Sequence, residues 1–227
     1  MKTETLQLLL PYGLGTVNAY LLEHRGAFLL VDTGCSSAER QLRVYLESHG
    51  CNKSNLKCVL ITHGDFDHTG NAAILQREWQ VPIAMHRDDV EMASKGDMFF
   101  NRKRMWCVGW LSRWMFDFNK SRFFMPNFII TLDGTSEENR ILPPEFSEKI
   151  KLINIPGHSK GSIALFTTDD EQLFCGDLLE NVKKPKLSDI MDDLPAARQS
   201  LDCLRKLKPR IVYPGHGSPF ELNQVQE

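Results

Sequence analysis

Residues 60–71 read LITHGDFDHTGN, a stretch that sets His63, Asp65, Asp67 and His68 within six consecutive positions. The residues before it, Cys58 to Ile61, form an apolar run short enough for a buried strand, and the pattern from Asn71 to Trp79 predicts a helix. Two imidazoles and two carboxylates therefore stand on a strand-end loop, where a rigid scaffold displays functional groups. Imidazole and carboxylate donors together suit borderline metals such as zinc, iron or manganese.

Outward from this loop the same grammar recurs. Strands are expected at Thr5 to Leu10, Val17 to Glu23 and Ala27 to Val31, the last two joined by a His-Arg-Gly turn that suits a hairpin. A helix over Ser36 to His49 and a strand over Pro82 to Met85 follow. The second half predicts strands at Lys151 to Ile155, Ser162 to Thr167 and Gln172 to Cys175, a helix from Pro195 to Lys206 and a strand from Arg210 to Tyr213. Antiparallel runs alternating with helices indicate an α/β sandwich of sheets covered by helices. Three more polar residues sit just beyond apolar strands: His158 in Pro-Gly-His-Ser, Asp177 in Cys-Gly-Asp and His216 in Tyr-Pro-Gly-His-Gly. Gathering these acids and imidazoles without a cation would be costly for each unpaired charge. By contrast, His24, His49 and His86 have no such setting and read as surface or packing residues.

The order Thr-His63-x-Asp65-x-Asp67-His68-Thr-Gly, Pro-Gly-His158, Gly-Asp177 and Pro-Gly-His216-Gly resembles the metallo-β-lactamase-fold hydrolases. Val-Asn-Ala-Tyr-Leu-Leu (17–22), Leu-Val-Asp-Thr-Gly (30–34) and Phe-Cys-Gly-Asp-Leu (174–178) match the family's strands, so the likeness spans most of the chain. It implies a four-layer αβ/βα sandwich, with two mostly antiparallel sheets flanked by helices, in a single domain over 1–227. It also implies two divalent metal ions, zinc first, with iron and manganese as alternatives. His63, Asp65 and His158 would hold one; Asp67, His68 and His216 would hold the other; Asp177 would bridge them. Asp32, in Leu-Val-Asp-Thr-Gly, would stand behind the ligands and orient them.

Asp65 departs from the family pattern, where HxHxDH places a histidine. As ligands, Asp65, Asp67 and Asp177 would together neutralise two divalent ions and a hydroxide, where the histidine version leaves one positive charge over. Oxygen in place of nitrogen also moves preference toward iron or manganese. The family resemblance implies hydrolysis of an ester, thioester, lactone or phosphodiester by a metal-bridged hydroxide, with Asp67 orienting it or passing its proton to the leaving group. The alternative, suggested by the carboxylate at 65, is a diiron oxidoreductase that reduces a small oxidant with electrons from a separate partner. A noncatalytic metal-bound binding module is the third reading.

The chain has 227 residues, 42% hydrophobic and 25% charged, enough to bury one sizeable core. Its formal net charge of -2 gives no basic field, and nucleic acid is not an expected partner. The six cysteines are scattered without a CxxC pair and read as reduced thiols. There is neither a signal-peptide pattern nor an apolar run of membrane-spanning length, so a cytoplasmic location is expected. A helical, lid-like insertion is expected around 94–128, where Trp106, Trp110 and Trp114 recur every four residues among Arg102, Lys103, Arg104 and other cations. In the functional reading Trp106, Trp110 and Arg102 meet an anionic, partly apolar small molecule. In the plainer reading this helix covers the sandwich or forms a homodimer contact.

Overall fold

The computed structural model describes residues 1–100, 102, 123–132 and 141–225. Six strands form the first sheet, in the order β1 (Lys2–Leu9), β2 (Thr16–His24), β3 (Ala27–Val31), β4 (Leu56–Ile61), β5 (Ile83–His86) and β6 (Phe128–Ile130). β1, β2 and β3 are an antiparallel meander. The turn between β2 and β3 carries Arg25 at φ 52° and Gly26 at φ 77°. Two successive left-handed residues match the twist of the flanking strands, which is why a glycine closes this hairpin.

From β3 onward the pairing is parallel, with Val31 opposite Leu60, Ile61 opposite Met85 and Met85 opposite Ile129. The helix Glu39–Ser48 carries the chain from β3 to β4, and such a crossover brings the next strand back in the same direction. The first sheet is thus mixed, with more parallel pairing than the expected mostly antiparallel arrangement. β3 is buried along its whole length and β4 nearly so, as parallel strands covered on both faces must be.

The second sheet has the order β12–β9–β8–β7, built from β7 (Ile150–Asn154), β8 (Ile163–Thr167), β9 (Gln172–Phe174) and β12 (Ile211–Tyr213). β7, β8 and β9 pair antiparallel, and β12 joins β9 in parallel after the helix Leu194–Leu207. A short ribbon of β10 (Leu179–Glu180) and β11 (Lys186–Leu187) lies between.

Three apolar layers bind these parts. Tyr20, Leu29 and Leu60 of the first sheet meet Leu165 and Phe174 of the second, with Phe146 filling the space between. On the outer face of the first sheet, Leu42 and Leu46 of the helix Glu39–Ser48 pack with Leu21, Leu30 and Ile61. On that of the second, Leu201 and Leu204 pack with Ala164, Leu173 and Val212. Helix, sheet, sheet and helix make the four expected layers.

The predicted 71–79 helix is a short α-turn, Ala72–Ile74, running into a π-helical stretch, Leu75–Trp79. Of the segment assigned to a helical insertion, Val90–Lys95 is helical at its entrance, but Phe128–Ile130 at its exit is the edge strand β6. Trp106, Trp110 and Trp114 lie outside the described residues. Among those described, no helix is long and apolar enough to cross a membrane. Cys35, Cys51, Cys58 and Cys175 are buried free thiols, and Cys203 is an exposed one.

Truncating Phe174, which is fully buried between the sheets, should lower the unfolding free energy by about 3–5 kcal/mol. Val44→Ala, at a position 58% exposed, should change it by less than about 0.5 kcal/mol. Urea titrations of both variants measure the contrast.

Candidate metal centre

Each candidate ligand lies just past the end of a strand. His63 follows β4, and the short helix Phe66–Thr69 carries Asp67 and His68. His158 follows β7, Asp177 sits in the tight turn Gly176–Leu178 after β9, and His216 follows β12. The two sheets thus bring together groups from regions far apart in the chain.

What aims the imidazoles is visible in their second nitrogens. His68 Nδ1 donates to Asp32 Oδ2 at 2.8 Å, His158 Nδ1 to the Ile190 carbonyl at 2.6 Å and His216 Nδ1 to the Thr16 carbonyl at 2.8 Å. The Thr62 hydroxyl gives its proton to Asp32 Oδ2 at 2.7 Å, so at 3.0 Å it accepts from His63 Nδ1. All four rings are therefore anchored through Nδ1 and turn Nε2 inward. Anchoring of this kind fixes both orientation and tautomer of a metal-binding histidine.

Two groups of ligand atoms result. His63, His158 and Asp177 form one, Asp67, His68 and His216 the other, with the atoms in each within 4.8 Å of one another. Asp177 stands between them: its Oδ1 is 3.2 Å from His68 Nε2, and its Oδ2 is 3.2 Å from His216 Nε2 and 4.0 Å from His63 Nε2. Asp67 Oδ2 is 3.3 Å from His216 Nε2. His63 Nε2 is buried and has no hydrogen-bond partner. An inward-facing nitrogen left unsatisfied inside protein is expensive unless a cation takes it. The donor set and this orphan nitrogen both fit a metal.

The electrostatics agree. Burial, then His68 and His158, push the proton affinity of His63 down. Burial also works against protonation of His216, yet Asp177 and Asp67 outweigh it and push its pKa up to about 11. Burial opposes protonation of His68 in the same way, but Asp177, Asp32 and Asp67 raise it. Asp177 itself would be raised by burial, but His216 and His68 hold it well below the usual carboxylate range. Asp177 thus stays ionised, and the carboxylates favour positive charge on the His68 and His216 rings that face them.

Asp65 is placed differently. Its Oδ1 is 2.9 Å from Arg102 Nη2, and its Oδ2 accepts from Arg102 Nη1 at 3.1 Å. The guanidinium also reaches His158, with Nη2 3.2 Å from Nε2 and 3.4 Å from the carbonyl oxygen, while its Nε lies 3.3 Å from Asp192 Oδ2. Both partners are buried, and Asp65 Oδ2 is 3.1 Å from His158 Nε2. Burial would raise the Asp65 carboxyl; Arg102, with His158 and His63, holds it well below its ordinary range.

The supports are mostly carboxylates and amides. Asp32, with φ 59° just past β3, accepts from the Thr62 amide and hydroxyl as well as from His68. Asp89 was not anticipated from sequence. It accepts from the Gly64 and Gly161 amides and from the Ser159 hydroxyl, which ties the His63 loop to the His158 loop. Asn18 donates to the carbonyls of Pro214 and Gly217 on either side of His216. Asp89 is one of two adjacent acids in His-Arg-Asp-Asp, with nothing local to single it out, and Asn18 lies in a stretch whose pattern reads only as strand.

A family model for the metallo-beta-lactamase superfamily matches residues 12–216, and the chain belongs to that superfamily. Members typically hold a dinuclear metal site, and this chain is an enzyme of the metallo-hydrolase class. It is 23% identical over 208 residues to the probable metallo-hydrolase YflN of Bacillus subtilis, covering 86% of this chain and 76% of that protein. It is 26% identical over 227 residues to the acyl-coenzyme A thioesterase MBLAC2 of Bos taurus, covering 92% of this chain and 75% of the other. Among solved structures, the metallo-beta-lactamase family protein TTHA1429 of Thermus thermophilus is similar with a TM-score of 0.69 and 25% identity, covering 98% of this chain and 76% of that one.

Gly215 tests the packing of the cluster without touching a candidate ligand. A Cβ there would stand 2.0 Å from Asp177 Oδ1 and 2.8 Å from His68. Gly215→Ala should keep a native circular dichroism spectrum and lose bound zinc, measured by mass spectrometry of the metal content.

Proposed function

We propose that this enzyme hydrolyses an acyl ester or thioester at a metal centre held by His63, His158 and Asp177 on one side and Asp67, His68 and His216 on the other. The observation that carries this reading is the common aim of the four imidazoles, each tied by Nδ1, with Nε2 of His63, His68 and His216 within 4.0 Å of the Asp177 carboxylate and His158 grouped with His63 and Asp177. Mixed imidazole and carboxylate donors suit zinc. A metal held there supplies Lewis acidity for a scissile carbonyl and makes water more acidic.

The chain's own residues do the rest. Asp177 stays ionised between the two groups. Asp67, its carboxylate beside His216 at 3.3 Å, is the group placed to take a proton from the attacking water and hand it to the leaving group. The bovine thioesterase relative supports an acyl thioester as the substrate class. The redox reading rested on a carboxylate ligand at position 65, and the Asp65 oxygens face Arg102; hydrolysis is therefore preferred.

Purified protein loaded with zinc should release free thiol from an acyl-coenzyme A panel, followed with a thiol-reactive dye. A chelator should abolish that activity and zinc should restore it. No turnover of any thioester or aryl ester by protein with zinc demonstrably bound would contradict the proposal.

A further inference from the structure

The family resemblance makes position 65 a metal ligand, but its neighbours here give it another partner. Asp65 and Arg102 face each other as a carboxylate and a guanidinium fork, with contacts of 2.9 and 3.1 Å on separate oxygens. One contact, from Nη1 to Oδ2, is a hydrogen bond and the other, between Nη2 and Oδ1, is a close charge contact, so the guanidinium covers both oxygens of the carboxylate. The pair is almost wholly enclosed, with Asp65 4% and Arg102 6% exposed, so separating it would strand a charge. Arg102 is further held by Asp192 and by His158.

We propose that Asp65 serves as the counter-ion of Arg102 and not as a metal ligand, so that the pair replaces, as one neutral unit, the histidine usual at this position. The inference rests on the metal-centre reading above and concerns which residues build it. Charge supports it. With Arg102 counted, the carboxylates Asp65, Asp67 and Asp177 have the same net charge as the two carboxylates of an HxHxDH centre. The geometry supports it too: the grouping around the first site contains His63, His158 and Asp177 and leaves Asp65 out. His63 Nε2 is 3.7 Å and His158 Nε2 3.1 Å from Asp65 Oδ2, whereas the guanidinium reaches both Asp65 oxygens, at 2.9 and 3.1 Å.

Two consequences follow. The first site has one protein donor fewer than its counterpart with histidine and is the weaker of the two. Arg102 becomes a positioning residue that holds Asp65 away from the metal and steadies the His158 backbone through its carbonyl, while its contact with His158 Nε2 gives way when a metal takes that nitrogen. Its Nη1 and Nη2 are taken by Asp65 and His158, and the Asp192 carboxylate stands 3.3 Å from its Nε, so its charge is already answered within the protein and binding a substrate anion is not its task.

Cobalt titration with visible absorption tests this, because the cobalt spectrum reports ligand number and geometry independently of turnover. Asp65→Asn combined with Arg102→Met removes the pair and keeps the net charge. This double variant should bind cobalt with the wild-type stoichiometry and spectrum, with affinities changed by less than about tenfold, the lower end of what removing a supporting partner does. Arg102→Met alone frees the carboxylate and should tighten the weaker site by about tenfold or more, with a changed spectrum. Thermal melts followed by circular dichroism verify that both variants are folded; if the double variant does not fold, the single variant decides alone.

Loss of one cobalt ion per chain in the folded double variant would overturn the proposal, and so would an Arg102→Met spectrum and affinity identical to wild type. Failure of the wild-type protein to bind cobalt or zinc at all would instead overturn the metal-centre reading itself.

Discussion

Asp32 carries the contact on which the site depends. Its carboxylate takes the Thr62 amide and hydroxyl at 2.8 and 2.7 Å and His68 Nδ1 at 2.8 Å, so one side chain beyond β3 fixes the exit of β4 and the ring of a candidate ligand. Through the Thr62 hydroxyl it also sets the tautomer of His63. Because the bonds are buried and one partner is charged, each is stronger than a neutral surface hydrogen bond. The left-handed backbone at Asp32, φ 59°, is a local strain that these contacts support.

The parallel register from β3 to β5 follows from the helices that return the chain, and it aligns β3 and β4 so that Asp32 and Thr62 meet. Packing between Phe174 and the first sheet then brings Asp177, just past β9, opposite His63 and His68. A fold stabilised by ordinary apolar burial thus concentrates acids and imidazoles at one end of two sheets. Asp89 and Asn18 lock the loops that carry them, and the resulting pocket is one that a cation completes.

Much of this was legible in the residues. The strand-end histidines and Asp177 could be read because each stands next to an apolar run with glycine or proline beside it. Most strand and helix positions were likewise readable from periodicity to within a few residues. What could not be read was pairing across sequence distance. Arg102 is 37 residues from Asp65, and nothing local to either marks the other. Asp89 is an unremarkable acid until Gly64 and Gly161 approach it. β6 was hidden because a three-residue edge strand, with two of its residues exposed, has too little pattern to stand out. The parallel pairings escaped for another reason: strand direction is set by crossover, which periodicity does not report.

The oxygen at position 65 takes on a different meaning in this setting. As a free carboxylate it would harden the first site and favour iron or manganese; neutralised by Arg102, it leaves a zinc-suited set of imidazoles around Asp177. The most direct measurement of the central claim is anomalous diffraction at the zinc edge from a zinc-loaded crystal. The account predicts anomalous density enclosed by the Nε2 atoms of the four histidines and by Asp177, with Asp65 still paired to Arg102. Zinc bound elsewhere, with that cluster free of anomalous density, would contradict it.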